Sequence, residues 1–440
     1  MTIDEYPEVV HVHPAGGAVT GTISIPGSKS LGNRAILLSA AALGESRLRG
    51  LPDSDDADAA LRALGALGVP YRVEGGALVV EGRGNVYAGR SGSVAIGSSG
   101  TVGRFLPGLL AASPSGEWTL VSTRQLAARP LRPLVDALRG WGAALESPVP
   151  GASFPLKVSG GGLAGGAVAV SAADSSQFAS GLLLAAPLCR EPAAVLIRDL
   201  DPEETYIDIT LDLMRRFGVD ATPKREGGVI KVEVLPQAYR PADLTIEADA
   251  NSANYFFALA ALTEGRVTVD NLDPASRQPG VKFLEVFRRL GCDVAREGGV
   301  SVAGPALPLR GGFAVDLRAM SEMALTLGVL AVFADAPIAM TNLAHVRGHE
   351  SDRIAALAAI LGRLGVRAGE TGDSVTVHPL AARKVKNAVI DPLDDHRIAM
   401  SFSVLGAAAN GISIRNPGCV RKTCPAFFKM LRRMGVEAAP

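Results

Sequence analysis

Cations stand at helix starts in this chain, where the backbone disfavours them. Six strongly apolar segments open on a polar first turn: SLGNRAILLSAAALG from Ser30, GTVGRFLPGLLAA from Gly100, SSQFASGLLLAAPL from Ser175, NSANYFFALAALTEG from Asn251, SEMALTLGVLAVFAD from Ser321 and DHRIAMSFSVLGAAANG from Asp395. Capping accounts for the Ser, Thr, Asn and Asp residues, whose oxygens accept the free amides of a helix start. It does not account for Lys29 and Arg34, for Arg104 or for Arg397. The dipole is positive at that end, so each cation there costs about 0.3–1 kcal/mol. A bound anion, held by the dipole, the amides and the side chains together, offsets that cost. Three buried helix starts per domain, facing a cleft between two domains, would suit a small, multiply anionic molecule.

More charge lies in loops. Arg124, Arg129, Arg132, Arg347, Arg353 and Lys422 are accompanied by Asp53, Asp55, Asp56, Glu350, Asp352 and Asp394. In VRGHESDRIAALAAIL, Glu350 and Arg353 stand at i and i+3 of a helix start. As a solvated pair they contribute only about 0.2–0.5 kcal/mol; as part of a site they can hold or move charge. Both readings stand at this point. The histidines at 11, 13, 345, 349, 378 and 396 read as scattered, with no Cys/His cluster, and no metal is expected. Neither a Walker A loop nor a dinucleotide fingerprint occurs, so no cofactor is expected.

The elements that must position these residues repeat along the chain. An amphipathic helix ending in glycine, then Val or Ala, then a strand recurs with its glycine at Gly68, Gly142, Gly218, Gly291, Gly365 and Gly435, in steps of 74, 76, 73, 74 and 70 residues. A period this long marks a compact supersecondary unit. The sixth copy ends at Pro440 directly after its helix and lacks the two strands that should follow, which are expected from the N-terminal VVHVHPAGGAVTGTISI, a strand, Gly-rich turn and strand. The expected division is a middle domain of three units, residues 22–242, and a discontinuous domain of residues 1–21 plus 243–440. PQAYRPAD, residues 236–243, is the expected crossover because its prolines interrupt the pattern. Two domains also suit 440 residues, too many for one core.

Composition excludes several classes. With 44 basic and 44 acidic residues, net charge offers nothing to nucleic acid or to a membrane surface. No apolar segment reaches the roughly 18 uninterrupted residues of a spanning helix, and MTIDEYPEVV has no signal-peptide pattern. Four unpaired-looking cysteines predict free thiols in a reducing cytoplasm. A monomer is expected.

From GSKSLGNRAILLSA at residues 27–40 onward, the sequence resembles the enolpyruvyl transferase family. The likeness continues through DSDDADAALRALGALGV from Asp53, GSSGTVGRFLPG from Gly97, ARPLRPLVDALRGWGA from Ala128, SSQFASGLLLAAPL from Ser175, YIDITLDLMRRFGV from Tyr206, HESDR from His349, DDHRIAMSFSVLG from Asp394 and CVRKTCPAFF from Cys419. It implies an α/β (α+β) fold, a two-domain inside-out α/β barrel of six βαβαββ repeats, with a site in the cleft and closure on binding. It also implies transfer of the enolpyruvyl group of phosphoenolpyruvate to the 5-hydroxyl of shikimate 3-phosphate. Lys29, Ser30, Arg34, Ser175, Ser176, Gln177 and Tyr206 then look like the shikimate-phosphate contacts. Gly100, Thr101, Arg104, Arg129, Arg353, Arg397 and Lys422 look like the phosphoenolpyruvate contacts. Lys29, Glu322, His349, Glu350 and His396 would be the catalytic groups. The branch acting on a nucleotide sugar, with Asn after the first Lys and a loop cysteine, is not matched: Ser30 follows Lys29, and Gly116 to Arg129 contains no cysteine.

The chain departs from the family pattern at several site positions. Glu322 stands for Asp, His349 for Lys, Gln125 for an Arg, Glu203 for a Ser, and Ser98 and Phe105 for Asn and Pro. A permanent cation has thus become a group that can be neutral near pH 7. Three outcomes remain open on sequence: ordinary transfer, a diverged elimination or altered acceptor, and a non-catalytic metabolite binder.

Overall fold

A computed structural model describes residues 6–89, 91–201, 205–380 and 384–440. Glu203, expected near a shikimate phosphate, lies outside the described residues. The repeat helices close in the same way six times. Each terminal glycine adopts positive φ, at 66°, 86°, 79°, 96°, 84° and 83° in chain order. The amide after it then returns to a carbonyl five residues back: Val69 to Leu64, Ala143 to Leu138, Val219 to Met214, Cys292 to Phe287, Val366 to Leu361 and Val436 to Leu431, all 2.9–3.0 Å. This Schellman closure requires the left-handed conformation that glycine adopts without strain, and it turns the chain into the next strand.

Among the described residues six four-stranded sheets result, all with one topology. In the simplest, Ser91–Gly97 runs parallel to Glu117–Ser122, which pairs antiparallel with Leu156–Ser159, which pairs with Ala144–Glu146. The helix Gly100–Ala112 bridges the parallel pair, and Arg132–Gly140 leads into the hairpin. Two sheets exchange their first strands. Thr20–Ile23 precedes the helix Lys29–Ala41 but pairs with Arg266–Val269. Asp243–Thr245 precedes the helix Ala250–Leu262 but pairs with Arg47–Arg49. The chain accordingly divides into two compact units, one comprising the N-terminal stretch to Pro26 with Glu247–Pro440, the other Gly27–Ile246. Both passages fall a few residues beyond the sequence-based positions. The prolines of 236–243 do not end the middle unit, because Ala242 exchanges backbone and side-chain bonds with Arg47 and Ser46, and the strand after it stays in that sheet.

The terminal sheet differs from expectation in one respect. Its last helix is followed by a short strand of its own, Ala438–Ala439, so it borrows a single strand: Val9–Val12 pairs with both Ile412–Arg415 and Ala438–Ala439. The second N-terminal strand goes to the fourth repeat instead.

Each unit has its own hydrophobic core. In the Gly27–Ile246 unit, helix Gly100–Ala112 is buried along its whole length and packs on Lys29–Ala41 and Gln177–Ala185. In the other, His396–Ala408 packs on Ala250–Leu262 and Ala324–Ala331. Helices apolar all round must be covered on every side, so the central bundles bury their bodies and leave only their first turns for polar chemistry. No helix among the described residues is long and apolar enough to cross a membrane.

Candidate active site

In the Gly27–Ile246 unit the first turns of the three central helices converge. Ser28 occupies the N-cap position of the first helix without a side-chain bond, and Lys29 follows it, 3.2 Å from Asp56 Oδ2. Asp56 is 1 % exposed, and its Oδ1 is buried without a hydrogen-bond partner. One turn on, Asn33 donates to Thr101 Oγ1 at 2.5 Å. Arg34 is 1 % exposed; its Nε donates to Thr210 Oγ1 at 2.9 Å, Nη2 to Ser180 Oγ at 3.1 Å and Nη1 to the Ser30 carbonyl at 2.9 Å. Its Cζ lies 4.7 Å from the centre of the Phe105 ring and 5.9 Å from that of Tyr206. Phe105, a departure from the family pattern, therefore serves as a platform for a buried cation.

The second helix start is built around Gly100. Ser99 caps it, and Arg104 Nη1 donates to Gln177 Oε1 at 2.9 Å. A Cβ on Gly100 would stand 2.6 Å from Arg104 Nη1 and 3.5 Å from Arg129 Nη1. Two guanidinium groups thus reach the same turn, which has room for them only because the residue is glycine. Arg129 brings a second guanidinium to this turn, while Gln125 sits in the short helix Arg124–Ala127. Ser175 Oγ accepts from the Gln177 amide, Ser176 takes the N-cap position without a side-chain bond, and Tyr206 begins the helix Tyr206–Arg216.

The other unit carries a buried ionic network. Asp395, fully buried, caps the helix His396–Ala408 by accepting the Arg397 amide at 3.0 Å. It also accepts from Arg353 Nε at 2.8 Å and Nη2 at 3.2 Å, and from Ser351 Oγ at 3.0 Å. Arg353 Nη2 reaches Glu350 Oε2 at 2.8 Å, and the other Glu350 oxygen lies 3.0 Å from Lys422 Nζ. The pair read as either solvated or functional is buried. Burial works against the Arg353 charge, but Asp395 and Glu350 outweigh it and hold the guanidinium above its ordinary pKa. Tyr255 is pushed up by burial, partly offset by the neighbouring Arg397. His396 is 1 % exposed, with Nδ1 3.9 Å from Asp395 Oδ1.

Glu322 and His349 connect through a residue that sequence reasoning passes over. His349 Nδ1 is 3.1 Å from Arg353 Nη1, and its ring meets His345 edge to face at 5.6 Å. His345 Nε2 is in turn 2.9 Å from Ser321 Oγ, beside Glu322 in the turn Arg318–Met323. Ser321 is therefore no helix cap. The spacing of four between His345 and His349 is the signal that would have singled out His345. The Asn251–Ser252 start is likewise explained by Asp249, which accepts the Ser252 amide at 2.7 Å. Among the described residues no three His, Cys, Asp or Glu are grouped to hold a metal.

A family model described as EPSP synthase (3-phosphoshikimate 1-carboxyvinyltransferase) matches residues 14–431. A 3-phosphoshikimate 1-carboxyvinyltransferase 2 from Halalkalibacterium halodurans is 40 % identical over 430 residues, covering 98 % of this chain and 95 % of that one. Among solved structures, an EPSP synthase from Acinetobacter baumannii superposes with a TM-score of 0.81 at 24 % identity, covering 99 % and 100 % of the two chains. The enolpyruvyl transferase NikO from Streptomyces tendae gives 0.73 at 15 % identity over 98 % of each, and these two likenesses speak for the fold. With buried cations at its helix starts and a family match running nearly end to end, the chain belongs to the EPSP synthase family, the 3-phosphoshikimate 1-carboxyvinyltransferases.

Proposed function

We propose that this chain transfers the enolpyruvyl group of phosphoenolpyruvate to the 5-hydroxyl of shikimate 3-phosphate and releases phosphate. The observation that carries the reading is the set of buried cations: Arg34, Arg104, Arg353, Arg397 and Lys422 are each 7 % exposed or less. Arg and Lys are almost never buried this deeply unless paired or functional, and a reaction between two multiply anionic substrates needs such groups. Guanidinium groups match carboxylate and phosphate oxygens two at a time.

In the proposed reaction the methylene carbon of phosphoenolpyruvate gains a proton while the hydroxyl oxygen bonds to the adjacent carbon. Loss of phosphate and of a proton from the new methyl group then restores the enol double bond, leaving an enol ether and inorganic phosphate. Lys29, Ser30, Arg34, Ser175, Ser176, Gln177 and Tyr206 are assigned to shikimate 3-phosphate, with Lys29 also facing phosphoenolpyruvate, and Gly100, Thr101, Arg104, Arg129, Arg353, Arg397 and Lys422 to phosphoenolpyruvate. Glu322 is assigned to accept the hydroxyl proton. Glu350, held between two cations, and His396 are assigned to the carbon proton. His349 Nδ1 faces Arg353, which only donates, so this atom accepts and does not deliver a proton. The four free cysteines suit a reducing cytoplasm.

Purified protein given shikimate 3-phosphate should form the enol ether only when phosphoenolpyruvate is added. Consumption of the cyclic substrate alone would replace the reading with an elimination; binding without turnover of either would make the protein a metabolite binder.

A further inference from the structure

We propose that His345 is a positioning residue, neutral in the working enzyme, which couples the Ser321–Glu322 turn to His349 and Arg353. The inference deepens the assignment of Glu322 and the phosphoenolpyruvate cations above and rests on it. Three contacts carry it. His345 Nε2 is 2.9 Å from Ser321 Oγ, its ring packs edge to face against His349 at 5.6 Å, and His349 Nδ1 is 3.1 Å from Arg353 Nη1. Ser321 is buried and Met320, before it, is the residue with non-helical backbone in that turn, at φ −134° and ψ 40°. The backbone departs from a regular helix there, and beside the amide of Met320 on the Leu317 carbonyl the Ser321 side chain ties down the turn that carries Glu322.

The protonation state follows from the donors. A guanidinium has hydrogens and no acceptor, so the Arg353 contact requires a bare Nδ1 and places the His349 hydrogen on Nε2. Protonating His349 would set N–H against N–H beside a permanent cation. In His345, Nδ1 is buried with no hydrogen-bond partner. A proton there would have no acceptor, so the neutral form is the one that fits. The charged groups facing His345 are Arg318 and Glu322 from the Arg318–Met323 turn, Arg353 from the helix Arg353–Arg363, and His349 from its own segment. Burial lowers the His345 pKa; Glu322 opposes that, while Arg318 and Arg353 add to it. Arg347, on the same turn, is engaged by Asp352 and Glu370 instead. Acidification would therefore put a proton on a buried Nδ1 that has no acceptor, beside Arg318 and Arg353, and so work against the packing that holds His345 between the Ser321 turn and His349.

The test compares wild type with His345→Gln, His345→Phe and Ser321→Ala across pH, following phosphate release from phosphoenolpyruvate and shikimate 3-phosphate. His345→Gln keeps an amide N–H near the Nε2 position for Ser321 and cannot titrate. It should hold kcat at pH 8 within about threefold, as expected where one neutral donor replaces another, and give a shallower fall on the acid side because one proton is removed from it. His345→Phe keeps the ring contact but loses the bond. It should lower kcat at every pH by about tenfold, one lost positioning bond, with little change in KM for phosphoenolpyruvate. Ser321→Ala should match it, and the double variant should be no worse than either. An acid limb equally steep in His345→Gln, or additive losses in the double variant, would overturn the proposal. Nitrogen NMR of the imidazoles separates this failure from failure of the catalytic reading. A neutral His349 with hydrogen on Nε2 whose protonation responds to His345→Gln supports the coupling whatever the turnover, and a His349 protonated at pH 8 or blind to His345→Gln refutes it.

Discussion

Replacing Asp395 by Asn changes one charge and almost no volume, so it isolates what holds the buried network together. Asp395 is fully buried and Arg353 is 2 % exposed, and they meet through two hydrogen bonds of 2.8 and 3.2 Å. Removing one partner of such a pair leaves the other charge uncompensated and costs about 3–5 kcal/mol. Asn can still cap the helix His396–Ala408 through its carbonyl, which retains the roughly 1 kcal/mol that an Ala would lose. Glu350 remains on Arg353, so the loss should sit near the lower bound, about 3 kcal/mol for Asp395→Asn and about 4 for Asp395→Ala. Urea unfolding of the unit containing Asp395 should show this as a lower midpoint at unchanged slope. Combining Asp395→Asn with Arg353→Met should cost less than the sum of the two, by about 2 kcal/mol or more, since the second change removes the orphaned charge. A loss under about 1 kcal/mol for Asp395→Asn, or strict additivity, would show that the pair is not the buried hub described here.

Lys29→Met should abolish turnover, while Arg62→Ala, on the exposed side of the helix Asp55–Ala66, should leave it unchanged; equal losses in steady-state assays would mean the site has been misplaced. Gly100→Ala should raise KM for phosphoenolpyruvate by about tenfold with a smaller change in stability, because the new methyl group displaces the flexible ends of Arg104 and Arg129 rather than backbone. Burial raises the thiols of Cys189, Cys292, Cys419 and Cys424 to about 12, so an aromatic disulfide reagent at pH 8 should label the native protein slowly and all four only in denaturant. His345 has its pKa lowered from 6.5 in the fold. Below about pH 6.5 the unfolded chain then binds more protons than the folded one, so stability falls as the pH drops through the folded pKa. The urea midpoint should decline there in wild type and decline less in His345→Gln.

How much of this could be read from the residues differs between backbone and site. The six glycines gave the repeat directly, because each left-handed closure demands the same residue in the same place. Strand exchange was invisible, since Thr20–Ile23 and Asp243–Thr245 are ordinary strands by pattern and only pairing tells which sheet takes them. Charges at helix starts were legible one by one, as violations of dipole preference. Their partners were not: nothing in the spacing of Asp395 and Arg353, or of Glu350 and Lys422, announces that they meet. Phe105 and His349 looked like defects because a pattern compares residue types, whereas a ring under Arg34 and an acceptor beside Arg353 are properties of geometry.

Running the reaction in deuterium oxide with shikimate 3-phosphate and phosphoenolpyruvate tests the central claim most directly. Protonation of the methylene carbon followed by loss of a proton from the resulting methyl group must leave deuterium in the enol ether. The account predicts product carrying deuterium at that methylene, with one phosphate released per enol ether formed. Product without deuterium there, or loss of shikimate 3-phosphate with no requirement for phosphoenolpyruvate, would contradict it.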